Sequence, residues 1–313
     1  MRSLQILLLF LKIKKMDKIL VVGSSGFIGR HVVDCLIERG HEVVCLSHTN
    51  PKDFCEAIRV IKCDVSNPVE VAKVLGEEYF ENCIYLPWFT GPKCHGSIAN
   101  LDWLKYSLEF LKIFCENSGK KIFMAGSVSE YDFSYGYFNE DSTPLNNSSL
   151  YGQTKASLFR LATLVCANYG VKLQWGRIFN CYGPFEKPAR LMPTVIKNSL
   201  SSQNIPVSLC DKYQDYLYVK DVASAIVALI NSDLEGPFNI CSGQPLYLRD
   251  IVKTIIEITS SKSNVLWGAI PESFEDRFVV GNNQKITQLT GWKPQYPLIK
   301  GLTETIEFYK TNY

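Results

Sequence analysis

Tyr151 and Lys155 stand four residues apart in Leu150-Tyr151-Gly152-Gln153-Thr154-Lys155, at the head of an apolar run that reads as a helix. At that spacing a phenol and an ammonium project from one helix face, one turn apart. A positive charge beside a phenol favours the phenolate, so Lys155 is expected to make Tyr151 more acidic. Tyr151 is then a candidate to exchange protons near neutral pH. The spacing recurs at Tyr216 and Lys220, so it needs support from its surroundings. Ser127 supplies some. It follows the strand-like run Ile122-Phe123-Met124-Ala125, and a serine at a strand's carboxyl end points into the same cleft that Tyr151 enters from the next helix.

The elements that must position these groups read as a nucleotide fold. Lys18-Ile19-Leu20-Val21-Val22 is a continuous apolar strand of the kind buried on both faces of a parallel sheet. Gly23-Ser24-Ser25-Gly26-Phe27-Ile28-Gly29 follows at once, then apolar residues at helical spacing up to Gly40. Glycines there allow a tight turn and let a diphosphate approach the backbone, while the helix N-terminus offers N–H donors. Further strands are predicted at 42–46, 60–63, 83–86, 121–125 and 172–176, with helices at 98–117 and 150–169. The alternation predicts an α/β protein: a Rossmann-type doubly wound parallel sheet with a smaller C-terminal substrate lobe. The dinucleotide-binding domain is expected at 16–181 and the lobe at 182–313, with 215–231 returning to the first domain. Prolines at 184, 188, 193 and 206 punctuate the lobe. A helix at 221–230 is expected there, capped by Asp221, followed by a strand at 238–241 and helices at 248–258 and 298–309.

The bulk properties bound the function. The 313 residues are 46% hydrophobic and 20% charged, an ordinary globular balance. A net charge of +2 points to neither nucleic acid nor an anionic membrane. Eleven cysteines without a Cys-x-x-Cys pair, and four histidines all before residue 96, show no zinc spacing. Scattered thiols of this kind predict a reducing, cytoplasmic setting. Leu4 to Ile13 is too short to span a bilayer and lacks a small-residue cleavage site. Residues 1–15 read either as an extension ahead of the folded domain or as a short surface anchor.

Taken together, the motifs are similar to those of extended short-chain dehydrogenases/reductases, within the NAD-dependent epimerase/dehydratase family of nucleotide-sugar enzymes. The matching residues are Gly23, Gly26 and Gly29, Ser127, and Tyr151 with Lys155. The segments Arg177–Pro184, Asp215–Asp221 and Thr290–Pro294 match as well, so the resemblance runs from residue 18 to about 295. It implies that Tyr151 exchanges a proton with a sugar hydroxyl or ketone and that Ser127 holds the same oxygen. Lys155 would lower the tyrosine's pKa and bind the nicotinamide ribose. The dinucleotide would lie against Gly23, Ser25, Gly26, Phe27, Ile28 and Gly29. It would also meet Ser47, Asp64, Val65, Leu86 and Phe179. Ser127, Ser129, Asn180, Arg190 and Gln214 would meet the nucleotide sugar. A homodimer through the 98–117 and 150–169 helices is implied too.

Cofactor choice is read at the end of the second strand. Ser47-His48-Thr49 carries no carboxylate to repel a 2′-phosphate, which favours NADP(H) and leaves NAD(H) possible. Asp64 reads either as an adenine contact or as a loop aspartate.

The resemblance also separates branches. Family dehydratases resemble Thr-Asp-Glu-Val-Tyr-Gly where this chain has Ser127-Val128-Ser129-Glu130-Tyr131-Asp132. The carboxylates that remove water are replaced by Val128 and Ser129, and Glu130 is displaced by one residue. Gly126–Asp132 is similar to 4-ketoreductases that make deoxy sugars, CDP-abequose synthase and dTDP-fucopyranose synthase among them. A 4-epimerase and a non-catalytic dinucleotide sensor are the alternatives. Two departures bear on the substrate's diphosphate: Gln214 stands where the family often has arginine, and Ser273 aligns with a second, with Arg277 shifted. Arg190 and Lys212 are candidates to compensate, though Arg190 also reads as a solvated charge at a helix start.

Overall fold

The computed structural model describes residues 17–48, 58–91, 93–117, 119–271 and 276–312. Residues 1–15, Thr49 and Ser273 therefore lie outside the described residues.

Seven parallel strands form the central sheet. In spatial order they are Gly236–Ile240, Lys172–Ile178, Lys121–Ser127, Asn82–Tyr85, Lys18–Val22, Glu42–Ser47 and Arg59–Lys62. Chain order reverses direction at Lys18–Val22, which pairs on one side with Glu42–Ser47 and on the other with Asn82–Tyr85. That reversal opens a crevice beyond the strands' carboxyl ends. The sheet is the doubly wound Rossmann type.

The apolar run of the first strand is divided by its two-residue period. Ile19 and Val21 pack into one core with Val32, Val33 and Ile226, while Leu20 and Val22 pack into another with Phe110, Phe114 and Leu158. Helix Val219–Ile230 lies beside Phe27–Glu38 on the first face. Helices Ala99–Glu116 and Leu150–Tyr169 pair on the second. A third core, built from Met192, Val195, Ile251, Ile255, Leu302 and Ile306, sits under the C-terminal helices.

One predicted cap is not there. The helix begins at Val219, with Tyr218 at its N-cap, and Asp221 lies inside the first turn. The Asp221 carboxylate instead accepts from the backbone N–H groups of Gln295 (2.9 Å) and Tyr296 (3.0 Å). A contact from a distant segment, invisible to local pattern, has replaced the local one.

Two features seat the catalytic candidates. Ser149 caps the Leu150–Tyr169 helix by accepting from the Gly152 N–H at 3.0 Å. A Cβ at Gly152 would lie 2.0 Å from the Ser129 carbonyl oxygen, so only glycine lets this helix touch the turn after Ser127. Beneath that turn, the Glu130 carboxylate accepts from Ser127 N–H (2.8 Å), Trp175 Nε1 (3.0 Å) and Arg177 Nε (2.9 Å). Glu130 and Arg177 are both buried. Arg177 also donates to the Tyr131 hydroxyl, which donates to Asn239 Oδ1.

Glu130→Ala leaves a buried arginine uncompensated and should cost about 3–5 kcal/mol in urea unfolding; a loss under about 1 kcal/mol would show that the pair does not hold the turn. Gly152→Ala should destabilise by about 1–3 kcal/mol through overpacking and should reduce turnover as well, because it lifts Tyr151 off its seat. Unchanged melting and kinetics would contradict that contact.

Candidate active site

A cavity of about 710 Å³ opens at the crevice. It is lined by the glycine loop, Ser127, Tyr151, Lys155 and residues of the 179–191 segment. Every cofactor and substrate candidate except Ser47, Asp64, Val65, Lys212 and Gln214 borders it.

The loop fits a dinucleotide. A Cβ at Gly29 would stand 2.2 Å from the Gly23 carbonyl oxygen, so the helix start can press against the turn only as glycine. Gly26 is the N-cap of Phe27–Glu38, and no side chain caps it. The N–H groups of that first turn are thus available to an anion such as a diphosphate.

Ser127 and Tyr151 meet in this cavity. The shift of Tyr151 runs opposite to the one expected from Lys155. Burial dominates and pushes the phenol up to about 12; the neighbouring Ser127 hydroxyl pulls the other way, and Lys155 is not among the main influences. Burial also drives the Lys155 ammonium down, against the attraction of Glu130. Both shifts run toward neutral forms, as desolvation requires. Lys155 Nζ donates to the Ala125 carbonyl at 2.7 Å and lies 3.8 Å from the centre of the Trp88 ring. The Tyr216–Lys220 pair, by contrast, divides between strand Tyr216–Tyr218 and the following helix.

The remaining candidates fall into two groups. Leu86, Phe179, Asn180 and Arg190 stand on the cavity wall with Ser129. Ser47 lies one hydrogen bond behind the wall, its Oγ 3.2 Å from Ser25 Oγ. Asp64 accepts from Ser66 N–H (2.9 Å) and Oγ (2.8 Å), bonds that hold its pKa below the usual range. Val65 packs on the core. Arg30 donates to the Ser25 carbonyl (3.1 Å) and stacks over Phe185.

Gln214 lines a smaller adjoining cavity of about 260 Å³ with Lys212, Tyr216 and Asp276. Asn180 borders both spaces and donates to Gln214 Oε1 at 3.0 Å. Lys212 forms an ion pair with Asp276, so its charge is already engaged.

Three wall residues escaped sequence reading. Trp88 meets Lys155 from a segment with no recognisable motif. His95, in the short turn Cys94–Gly96, stacks edge-on against Tyr151 with ring centres 5.4 Å apart. Glu186 follows the Tyr182-Gly183-Pro184 motif and is buried on the wall. None lies in a repeating pattern that would have flagged it.

Among the described residues no group of His, Cys, Asp or Glu side chains could hold a metal ion. No described helix is long and apolar enough to cross a membrane.

The chain is similar to several known proteins. It is 25% identical over 269 residues to dTDP-6-deoxy-L-talose 4-dehydrogenase (NAD(+)) of Aggregatibacter actinomycetemcomitans, covering 84% of this chain and 98% of that one. It is 26% identical over 347 residues to dTDP-glucose 4,6-dehydratase of Shigella flexneri, covering 94% and 93%. The fold matches the UDP-glucose 4-epimerase of Thermus thermophilus in complex with NAD, with TM-score 0.84, 22% identity and coverage of 95% and 100%. The model of the NAD dependent epimerase/dehydratase family matches residues 19–241. With that span covering the sheet, the glycine loop and the Ser127–Tyr151–Lys155 cluster, the chain belongs to the NAD dependent epimerase/dehydratase family of enzymes.

Proposed function

We propose that this protein is a nicotinamide-dinucleotide-dependent reductase of a nucleotide-linked 4-keto-6-deoxy sugar. The observation that carries the reading is the turn after Ser127. Val128 and Ser129 border the cavity where family dehydratases resemble an Asp-Glu pair, and Glu130 is turned into the core against Trp175 and Arg177. No carboxylate at this turn is left to remove water. The similarity to a 4-dehydrogenase of a 6-deoxy sugar supports the same reading.

The bound dinucleotide supplies the hydride. Tyr151 donates a proton to the keto oxygen, and Ser127 hydrogen-bonds that oxygen and fixes its distance from the phenol. Lys155, one N–H already on Ala125, has further donors for the ribose hydroxyls. Arg190 and Asn180 attract the substrate's diphosphate from the opposite wall. Ser47 offers no carboxylate against a 2′-phosphate, which supports NADP(H); NAD in a protein of the same fold supports NAD(H). Exposed Leu101, Leu161 and Leu164 on the paired helices support a homodimer.

Incubation with NADPH or NADH and a panel of NDP-4-keto-6-deoxyhexoses should consume reduced cofactor with at least one sugar. No absorbance loss with any of them would refute the reductase. Copurified stoichiometric NAD, with activity on NDP-hexoses and no added cofactor, would favour a 4-epimerase instead.

Tyr151→Phe should lower turnover by roughly 10²–10⁴-fold while dinucleotide affinity stays within about threefold. Full activity of that variant would remove Tyr151 from the chemistry.

A further inference from the structure

Glu186 is the one carboxylate among the described residues that line the large cavity. The charged side chains around it there are all basic: Lys155, Lys187 and Arg190. Glu186 is only 8% exposed, and its Oε2 is buried without a hydrogen-bond partner. An unpaired buried oxygen of this kind costs about 1–3 kcal/mol unless a ligand completes it.

The loop that carries Glu186 is tied down on three sides. The Tyr309 hydroxyl donates to the Glu186 carbonyl at 3.1 Å, Lys187 Nζ donates to Thr90 Oγ1 at 2.6 Å, and Phe185 packs on Phe308. The backbone that carries the carboxyl group is therefore held in place.

We propose that Glu186 acts as a neutral carboxyl group that donates its Oε2 hydrogen to an oxygen of the bound nucleotide sugar. This rests on the nucleotide-sugar reading above. An ionised carboxylate would face the phosphates of both ligands at close range and repel them. A protonated one supplies the missing partner without charge. The surroundings favour the neutral form. Burial pushes the Glu186 pKa up to about 8, with Arg190 and the Gly183 backbone N–H pulling the other way. No ion pair joins the two. The other titratable groups facing it are Cys181 on strand Asn180–Tyr182, Tyr216 on strand Tyr216–Tyr218 and Tyr309 on helix Leu298–Asn312. Burial raises the first two and keeps them uncharged. Arg190 also acts on Tyr151 and His95, so one side chain links Glu186 electrostatically to the reacting end.

The sign of the pH effect follows. An anionic ligand favours the protonated carboxyl, so affinity is full below the Glu186 pKa and falls as pH rises through about 8. Glutamine is a neutral donor at every pH, and alanine donates nothing.

The test is calorimetric titration of the dinucleotide-loaded protein with UDP-, dTDP-, CDP- and GDP-glucose between about pH 6.5 and about pH 9.5. Wild type should weaken by roughly tenfold more than Glu186→Gln across that range. Glu186→Ala should bind roughly tenfold more weakly than Glu186→Gln at neutral pH. Lys155, His31 and His95 are common to all three proteins, so the difference between wild type and Gln isolates Glu186. Parallel pH profiles for wild type and Gln, or equal affinity of Ala and Gln, would overturn the proposal. If none of the four sugar nucleotides binds wild type at any pH, the nucleotide-sugar reading fails and takes this inference with it.

Discussion

The buried pair of Glu130 and Arg177 is the contact on which the site depends. Two opposite charges away from water are stable only when hydrogen bonds occupy their remaining valences. Here they do: Glu130 also receives Ser127 N–H and Trp175 Nε1, and Arg177 reaches the Tyr131 hydroxyl. The network ties strand Lys121–Ser127 to strand Lys172–Ile178 and fixes the turn that follows Ser127. The Glu130 carboxylate is engaged in holding the serine, which is why this turn differs chemically from an acid–base turn of similar length.

Dryness is the second constraint. The phenol of Tyr151 and the amine of Lys155 are both shifted toward neutrality by burial. A simple pairing of charge on one helix face would have shifted the phenol the other way. The difference arises because Lys155 turns to Ala125 and the Trp88 ring. The two groups share a helix face without sharing a hydrogen bond, and Ser127 is the polar side chain that opposes burial at the phenol.

The opposite wall belongs to the segment between the sheet and the C-terminal core. It brings Asn180, Glu186 and Arg190 to the cavity, while Gln214 and the Lys212–Asp276 pair occupy the smaller space beyond Asn180. An arginine fork at position 214 would have offered two fixed donors to a phosphate. The amide there bonds protein groups instead, Asn180 and the Asp276 carbonyl at 2.6 Å. The cationic side chains that this segment brings to the large cavity are Lys187 and Arg190.

Sequence alone determined what repeats or is local. The alternation of strands and helices, the glycine loop and the Leu150–Tyr169 helix are written in neighbouring residues, because hydrogen bonding and burial at those scales follow a fixed period. The convergence of Ser127 with Tyr151 was legible because a strand end and a helix start each have a defined direction. What only the tertiary structure decided depends on groups far apart in the chain. Asp221 left its local cap for residues 295 and 296, and Trp88 came to lie beneath Lys155. The protonation balance of Tyr151, Lys155 and Glu186 belongs to the same class. It is set by how much water the surrounding segments exclude, and no short stretch of residues carries that quantity.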